Sequence, residues 1–397
     1  RPSHIDRNDA APDGSGTPQH IRKAGRRMRV PAAAISFPDE DREWILSQID
    51  ESLRSGQLTL GQIGRTLEAE FAQAHQVEHA ISVSSGTSAV EIPLRVLECK
   101  GKEVLVQANT FFATAAAAVS AGADIRFVDC DPATMAMDPA ALQAAIGPNT
   151  VGVVVVHIGG YIPPAIRDIQ RICAENGLWL FEDAAHAHGS SLDGQFAGTF
   201  GVAGSFSFYP TKVLAGGEGG MLITNDSHFV DEAKIYRDQG KASFLTNDHT
   251  RLGYNWRMSE PHAAIALSQL RRLDEFVDHR RHVAAMYDEM LADGPVTPLA
   301  IPDESRCNYY KYIAFLPDGV DRSMVKKRMR EEFEVGLSGE VYEMPLHLQS
   351  VFEPWADGPL PGAEQLCARH ICLPVSAVMT DEQVELVVRG LNEVVTP

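Results

Sequence analysis

No apolar run in this chain approaches the roughly 18 residues that a membrane helix needs, which excludes a helical membrane span. No CxxC pair occurs either. Six cysteines (Cys99, Cys130, Cys173, Cys307, Cys367 and Cys372) are scattered over 397 residues. That usage reads as reduced, mostly buried thiols in a cytoplasmic protein, and no metal is expected. Basic residues are in deficit: 35 Lys and Arg stand against 53 Asp and Glu, for a net charge of -18. A bulk electrostatic grip on nucleic acid or an anionic membrane is thereby excluded. Anionic ligands would have to be held locally, by backbone N–H groups and a few cations. The first residues lack the apolar core of a signal peptide. They begin at Arg1 rather than methionine, so the chain is expected to be processed or trimmed. Internal repeats and low-complexity segments are absent.

What is present is ordinary globular material, 44% hydrophobic and 22% charged. The length suits one large and one small domain. Residues 1–34 are polar, with five basic residues between Arg22 and Arg29, and read as a solvated tail or as an arm lying on a partner subunit. From Ala80 the pattern alternates. Strands are expected over 80–84, 103–107, 125–129, 151–157 and 178–182, and helices over 87–97, 112–121, 139–146 and 166–176. Asp138-Pro139 is an N-cap with proline at the first helical position, and Gly177 stops its helix. Continuous apolar strands alternating with helices mean an α/β fold, with a mostly parallel sheet covered on both faces. Right-handed crossovers then bring the chemistry-bearing loops to one edge. After Pro261 one long helical stretch is expected, with Ile265, Leu270, Leu273 and Phe276 as its apolar stripe. The domain boundary is placed near 280, giving a large domain over 35–280 and a smaller α+β domain over 281–397. The latter holds a strand near 310–316 and helices near 323–333 and 380–391.

One lysine stands out. Lys212 lies between an aromatic strand, Ser205-Phe-Ser-Phe, and the turn Gly216-Gly-Glu-Gly-Gly, which leads into an apolar strand from Met221. Such surroundings bury it, disfavour its charge and make its amine a better nucleophile towards a carbonyl. The natural aldehyde partner is pyridoxal 5'-phosphate (PLP). That cofactor needs a phosphate cup, an acid opposite the pyridine nitrogen, a flat cover and a substrate site. Ser85-Gly86-Thr87 sits at a strand-to-helix junction where N–H groups converge, although such a pair also reads as a plain helix cap. Asp183 ends a strand; alone it reads as a cap, and beside Lys212 it reads as the partner of the pyridine nitrogen. Glu182 falls on the opposite side of that strand. His186 could line the ring, hold its substituents or simply support its neighbours, while His188 reads as structural. Of the pair Phe111-Phe112, the first suits ring stacking and the second a core position. Ser207 can add a hydroxyl to the phosphate cup.

Six segments occur in order: Ser-Ser-Gly-Thr-Ser-Ala (84–89), Asn-Thr-Phe-Phe-Ala-Thr (109–114), Glu-Asp-Ala-Ala-His-Ala-His-Gly (182–189), Ser-Phe-Tyr-Pro-Thr-Lys (207–212), Gly-Glu-Gly-Gly (217–220) and Gly-Tyr-Asn-Trp-Arg-Met-Ser-Glu (253–260). Together they resemble the DegT/DnrJ/StrS family of sugar aminotransferases, from about Phe37 to the C-terminus. The resemblance implies a fold-type-I PLP enzyme with a seven-stranded sheet. It also implies a role for each matching residue. Lys212 is the lysine that carries the cofactor, Asp183 its pyridinium partner, His186 the residue beside it and Phe111 the stacking aromatic. Gly86, Thr87 and Ser207 hold the phosphate. Asn255 reaches the phosphate from a neighbouring subunit, which implies a homodimer with shared sites. His347, in Met-Pro-Leu-His-Leu-Gln, lies near the substrate. A dehydrating branch of the family has histidine in place of the lysine, and Lys212 sets this chain apart from it. The segment 157–164 departs from the relatives' His-x-Phe-Gly turn.

The implied reaction is a ping-pong transamination from glutamate or glutamine to a nucleotide-linked keto-deoxysugar, such as a TDP-4-keto-6-deoxyhexose. Arg257 and Lys311 could supply cations for its diphosphate. The alternatives are an unlinked cyclic ketone, such as an inosose or an aminoshikimate-type substrate, or a regulatory homologue that binds PLP without turnover.

Overall fold

The computed structural model describes residues 29–243, 245 and 247–395. Two helices precede the first strand: α1 (Asp39–Ser55) and α2 (Gln62–Ala74). The periodic reading did not place them. The N-terminus of α2 is capped from far along the chain. The buried Glu260 carboxylate accepts from the backbone N–H groups of Gly61 (2.9 Å) and Ile63 (2.8 Å). A cap 199 residues away in sequence leaves no local signature.

The alternating core follows: β1 (His79–Val83), α3 (Gly86–Val96), β2 (Glu103–Gln107), α4 (Phe112–Ser120), β3 (Asp124–Val128), α5 (Pro139–Ala145), β4 (Thr150–Val156), α6 (Ile166–Glu175) and β5 (Trp179–Asp183). Each boundary falls within a residue or two of the sequence reading. The caps explain why. Asp138 accepts from the N–H groups of Ala140 and Ala141, and Ser85 and Ser88 form a reciprocal capping box at the start of α3. Two short strands, β6 (Ser191–Leu192) and β7 (Gln195–Phe196), form a hairpin before β8 (Ala203–Ser207), β9 (Gly220–Thr224) and α7 (Ser227–Arg237).

The main sheet has seven strands in the order β1-β9-β8-β5-β4-β2-β3. Only β9 runs antiparallel to its neighbours. Alternate residues feed the two faces: Val154 and Val156 of β4 pack in one apolar cluster, Val153 and Val155 in the other. Both faces are buried, which is why these strands read as unbroken apolar runs.

The long helical stretch expected after Pro261 is two helices, α8 (Glu260–Leu270) and α9 (Leu273–Leu291). The buried face of α8 is built largely from Ala263, Ala264, Ala266 and Leu267, whereas Ile265 is only partly buried. Alanine carries little weight in an apolar stripe, so the periodic reading leaned on the wrong residue. At the break, Arg271 pairs with Glu70 of α2 (2.7 Å) and Arg272 with Asp41 of α1 (2.8 Å).

Beyond α9 lie β10 (Thr297–Pro298), β11 (Ser305–Arg306), β12 (Tyr312–Phe315), α10 (Arg322–Phe333), α11 (Pro361–Arg369), β13 (His370–Leu373) and α12 (Asp381–Val395). Strands β10, β12 and β13 form a second sheet, and β11 joins the β6–β7 hairpin. A third apolar cluster joins this region to the second half of α9, through Val283, Tyr287, Tyr312 and Val384. Of the tail expected over 1–34, residues 1–28 lie outside the described residues. Val30 is buried and forms a parallel bridge with Val335. Among the described residues no helix is long and apolar enough to cross a membrane.

Candidate active site

The sheet order converges the ends of β1, β2, β4, β5 and β8 on one edge, where their loops enclose a cavity of about 450 Å³. Gly86, Thr87, Phe111, Asp183, His186, Ser207 and Lys212 all line it. Those residues come from four separate segments, so the sequence reading drew together groups spread over more than a hundred positions.

Asp183 is the last residue of β5 and is buried. Its Oδ2 accepts from Thr114 Oγ1 at 2.7 Å and its Oδ1 from the Ala185 N–H at 3.1 Å. Burial pushes its carboxyl up; the Thr114 hydroxyl, the Ala185 N–H and the charge of Lys212 oppose the rise. Its neighbour Glu182 faces the other side of the sheet, as the strand period requires. There it accepts from His157 Nε2 (2.7 Å) and from the N–H groups of Gly198 (2.7 Å), Phe200 (2.5 Å) and Gly201 (2.7 Å). Glu182 therefore fastens the end of β4 and the approach to β8 directly behind Asp183.

Lys212 follows the end of β8. Its Nζ has no hydrogen-bond or ion-pair partner among the described residues and lies over the Tyr310 ring, 4.7 Å from its centroid. Burial lowers its pKa to about 8, Asp183 opposes that and Lys311 adds to it. His186 packs against Tyr310 with ring centroids 4.3 Å apart and the planes tilted by 35°. Burial, then the charges of Lys212 and Lys311, hold its imidazole well below the usual range.

At the other end of the cavity, α3 begins at Gly86. The Gly86 and Thr87 N–H groups have no carbonyl four residues back within the helix, so they remain available to an anion. A Cβ on Gly86 would sit 2.6 Å from Ser207 Cβ, so the cup closes only because residue 86 has no side chain. Phe111 is half exposed at the cavity and 5.7 Å from the Tyr342 ring. Phe112, expected in the core, is also partly exposed and packs on Phe352. The set fits PLP. It offers a free amine of lowered pKa, a buried carboxylate, an aromatic face and an anion cup too tight for a Cβ.

Other site expectations fall outside this wall. Asn255 is exposed on its own chain. Arg257 is ion-paired with Asp238 and lines a separate groove with Arg237, Lys234 and Lys241. His347 is buried, with Nε2 3.0 Å from Glu364. Lys311 sits by the Tyr310 ring at 5.3 Å without lining the cavity. The sequence reading missed Thr114, Tyr310 and Tyr342, as well as Thr211 and Glu218, which flank Lys212 in the chain and share its cavity.

Comparison with known proteins gives the family of the chain. The DegT/DnrJ/EryC1/StrS aminotransferase family matches residues 39–392. A pleiotropic regulatory protein of Geobacillus stearothermophilus is 34% identical over 92% of this chain and 98% of its own length. A UDP-N-acetyl-3-dehydro-alpha-D-glucosamine 3-aminotransferase of Acidithiobacillus ferrooxidans is 36% identical over 86% of this chain and 91% of its own. A dTDP-3-amino-3,4,6-trideoxy-alpha-D-glucose transaminase of Micromonospora megalomicea is 33% identical over 90% and 96%. Among solved structures, the aminotransferase TlmJ from Streptoalloteichus hindustanus superposes with a TM-score of 0.84 at 31% identity, covering 92% of this chain and 98% of that one. The chain belongs to the DegT/DnrJ/EryC1/StrS aminotransferase family and is a PLP-dependent aminotransferase.

Proposed function

We propose that this enzyme moves an amino group from glutamate or glutamine to the ketone of a nucleotide-linked keto-deoxysugar, a TDP-4-keto-6-deoxyhexose, in amino-sugar biosynthesis. The observation that carries the reaction class is the unpaired, half-buried Lys212 amine in the same cavity as the buried Asp183 carboxylate. The substrate class is supported by the relatives whose names specify UDP- and dTDP-linked sugars.

In this reading Lys212 holds the cofactor covalently, Asp183 faces its pyridine nitrogen and Phe111 and His186 flank its ring. Gly86, Thr87 and Ser207 surround its phosphate. PLP, when bound, supplies the electron sink that makes the donor's α-proton removable. Lys212 Nζ, once free, takes that proton from the α-carbon. In the second half of the cycle it returns a proton to the carbon that receives the amine. Thr114 and the Ala185 N–H hold the Asp183 carboxyl in place. Residues 35–280 carry the cofactor contacts, and 281–397 form a smaller unit that adds Tyr310 and Tyr342 to the wall. The enzyme is a homodimer, in which Asn255 of the partner subunit reaches the phosphate; the exposure of Asn255 on its own chain supports that part.

A cyclic ketone acceptor is the second reading. An L-glutamine:2-deoxy-scyllo-inosose aminotransferase of Streptomyces kanamyceticus, 33% identical over 78% of this chain, favours it. Mass spectrometry of amine transfer to a panel of nucleotide keto-sugars and cyclitol ketones tests both. Conversion of a TDP-keto-sugar supports the first reading, and conversion of cyclitol ketones alone overturns it.

A further inference from the structure

The cavity wall has a deficit that a transaminase must solve. An α-amino acid donor brings an α-carboxylate, yet no arginine lines the cavity and Lys212 is its one lysine among the described residues. The carboxylates of the wall are Asp183 and Glu218, which repel such a group. Hydroxyls are what remains, and most are engaged, Thr87 and Ser207 being those assigned above to the phosphate. Thr211 Oγ1 and Tyr310 Oη share one hydrogen bond at 3.1 Å, in which either can be the donor. Thr110 bonds Thr114, which serves Asp183. Tyr209 is half exposed, and no neighbouring group fixes its hydroxyl among the described residues.

Tyr342 differs, because its hydrogen bond has a determined direction. The Gly159 N–H donates to His186 Nδ1 at 3.2 Å. That use of the Nδ1 lone pair puts the proton of the neutral imidazole on Nε2. His186 Nε2 lies 3.1 Å from Tyr342 Oη, so the imidazole donates and the phenol oxygen accepts. The phenol proton is left over, on a ring that lines the cavity. Burial holds the Tyr342 hydroxyl well above its ordinary pKa, so it keeps that proton. A hydroxyl whose oxygen is already accepting is a polarised donor, and among the described residues none accepts its proton, which leaves it for a ligand in the cavity.

We propose that Tyr342, oriented by the Gly159–His186 relay, donates its hydroxyl proton in a hydrogen bond to the α-carboxylate of the amino donor and so selects α-amino acids. The proposal rests on the transaminase reading of the cavity and is independent of the acceptor.

The test uses the PLP-loaded enzyme and the first half-reaction, followed by the cofactor's absorbance. Donors are L-glutamate, L-glutamine and 4-aminobutyrate, which is glutamate without its α-carboxylate. Tyr342→Phe keeps the ring and its packing on Phe111. It is expected to raise the dissociation constant of both amino acids by about 10-fold or more, the worth of a hydrogen bond to a charged group. It should leave 4-aminobutyrate binding and the resting absorbance spectrum at their wild-type values. Equal weakening for 4-aminobutyrate, or unchanged binding of all three, overturns the proposal. So does a displaced resting spectrum, which would assign the hydroxyl to the cofactor. Wild-type enzyme that accepts an amine from no α-amino acid would instead overturn the donor half of the function proposed above.

Discussion

Thr114 Oγ1 lies 2.7 Å from Asp183 Oδ2 and donates to it, across 69 positions of sequence, from the first turn of α4 to the last residue of β5. The contact opposes the burial that drives the Asp183 carboxyl towards its neutral form. Thr114→Val keeps the shape and removes the donor. It should weaken PLP binding about 10-fold, on the usual worth of a hydrogen bond to a charged group. Thr114→Ser should restore it. Fluorescence titration of the apoenzyme with PLP measures both, and a valine variant with wild-type affinity would separate Thr114 from the cofactor.

Gly86 and Ser207 set the size of the anion cup. An added Cβ at residue 86 would come within 2.6 Å of Ser207 Cβ and 2.9 Å of its Oγ. Neither partner is the far end of a flexible chain, so strand β8 or the start of α3 must move. Gly86→Ala should cost about 1–3 kcal/mol of stability, the usual penalty of overpacking. It should also lower PLP affinity by more than the loss of the Ser207 hydroxyl alone does in Ser207→Ala. Urea midpoints and PLP titrations of the two variants decide it.

The parts of this site that were legible in the sequence are those written into short, continuous segments. Asp183 and His186 share one run, and Ser207 and Lys212 another. The caps Ser85 and Asp138 mark the helices that frame the loops. What was hidden was supplied across the chain. Tyr310 and Tyr342 approach from segments with no chemical signature of their own. Thr114 looks like any helical threonine until β5 is placed beside it. Glu260 is the first residue of its own helix, and its carboxylate caps α2, which no local pattern shows. The break between α8 and α9 was invisible for a related reason. Its stabilising partners, Glu70 and Asp41, lie on helices that pattern reading did not find.

Lys212 ties mechanism to pH. Its amine can take a proton only when neutral, and burial lowers its pKa to about 8. The first half-reaction should therefore accelerate as pH rises through 8 and level above it. Lys311 is a like charge that favours the neutral amine. Lys311→Met should move the midpoint upward, and Lys311→Arg should keep it near the wild-type value. Lys212→Ala should lose about 100-fold or more in rate, the scale of a lost general base. Single-turnover rates across pH 6 to 10 supply the check; a methionine variant with an unmoved midpoint would remove Lys311 from the account.

Buried histidines should make the fold sensitive to acid. His370 Nδ1 donates to the Leu366 carbonyl at 2.8 Å and Nε2 accepts from the Val341 N–H at 2.9 Å. His75 is held alike, by the Phe71 carbonyl at 3.1 Å and the Gly189 N–H at 3.4 Å. Each ring has both nitrogens in use as a neutral imidazole, and a second proton would break one of those bonds. Burial accordingly lowers both pKa values to about 4. Between about pH 6.5 and 4 the unfolded chain therefore binds a proton at each of these residues that the folded chain does not. Stability rises with pH across that window: the contribution is complete above 6.5 and is lost as pH falls to 4. Each histidine adds about 1.4 kcal/mol per pH unit to the slope near the middle of the window. His370→Gln should unfold more easily at every pH, through its lost bonds, yet show a shallower slope by about that amount. Urea denaturation from pH 8 to 4 reads the slope directly, and parallel wild-type and variant curves would show that His370 does not titrate on unfolding.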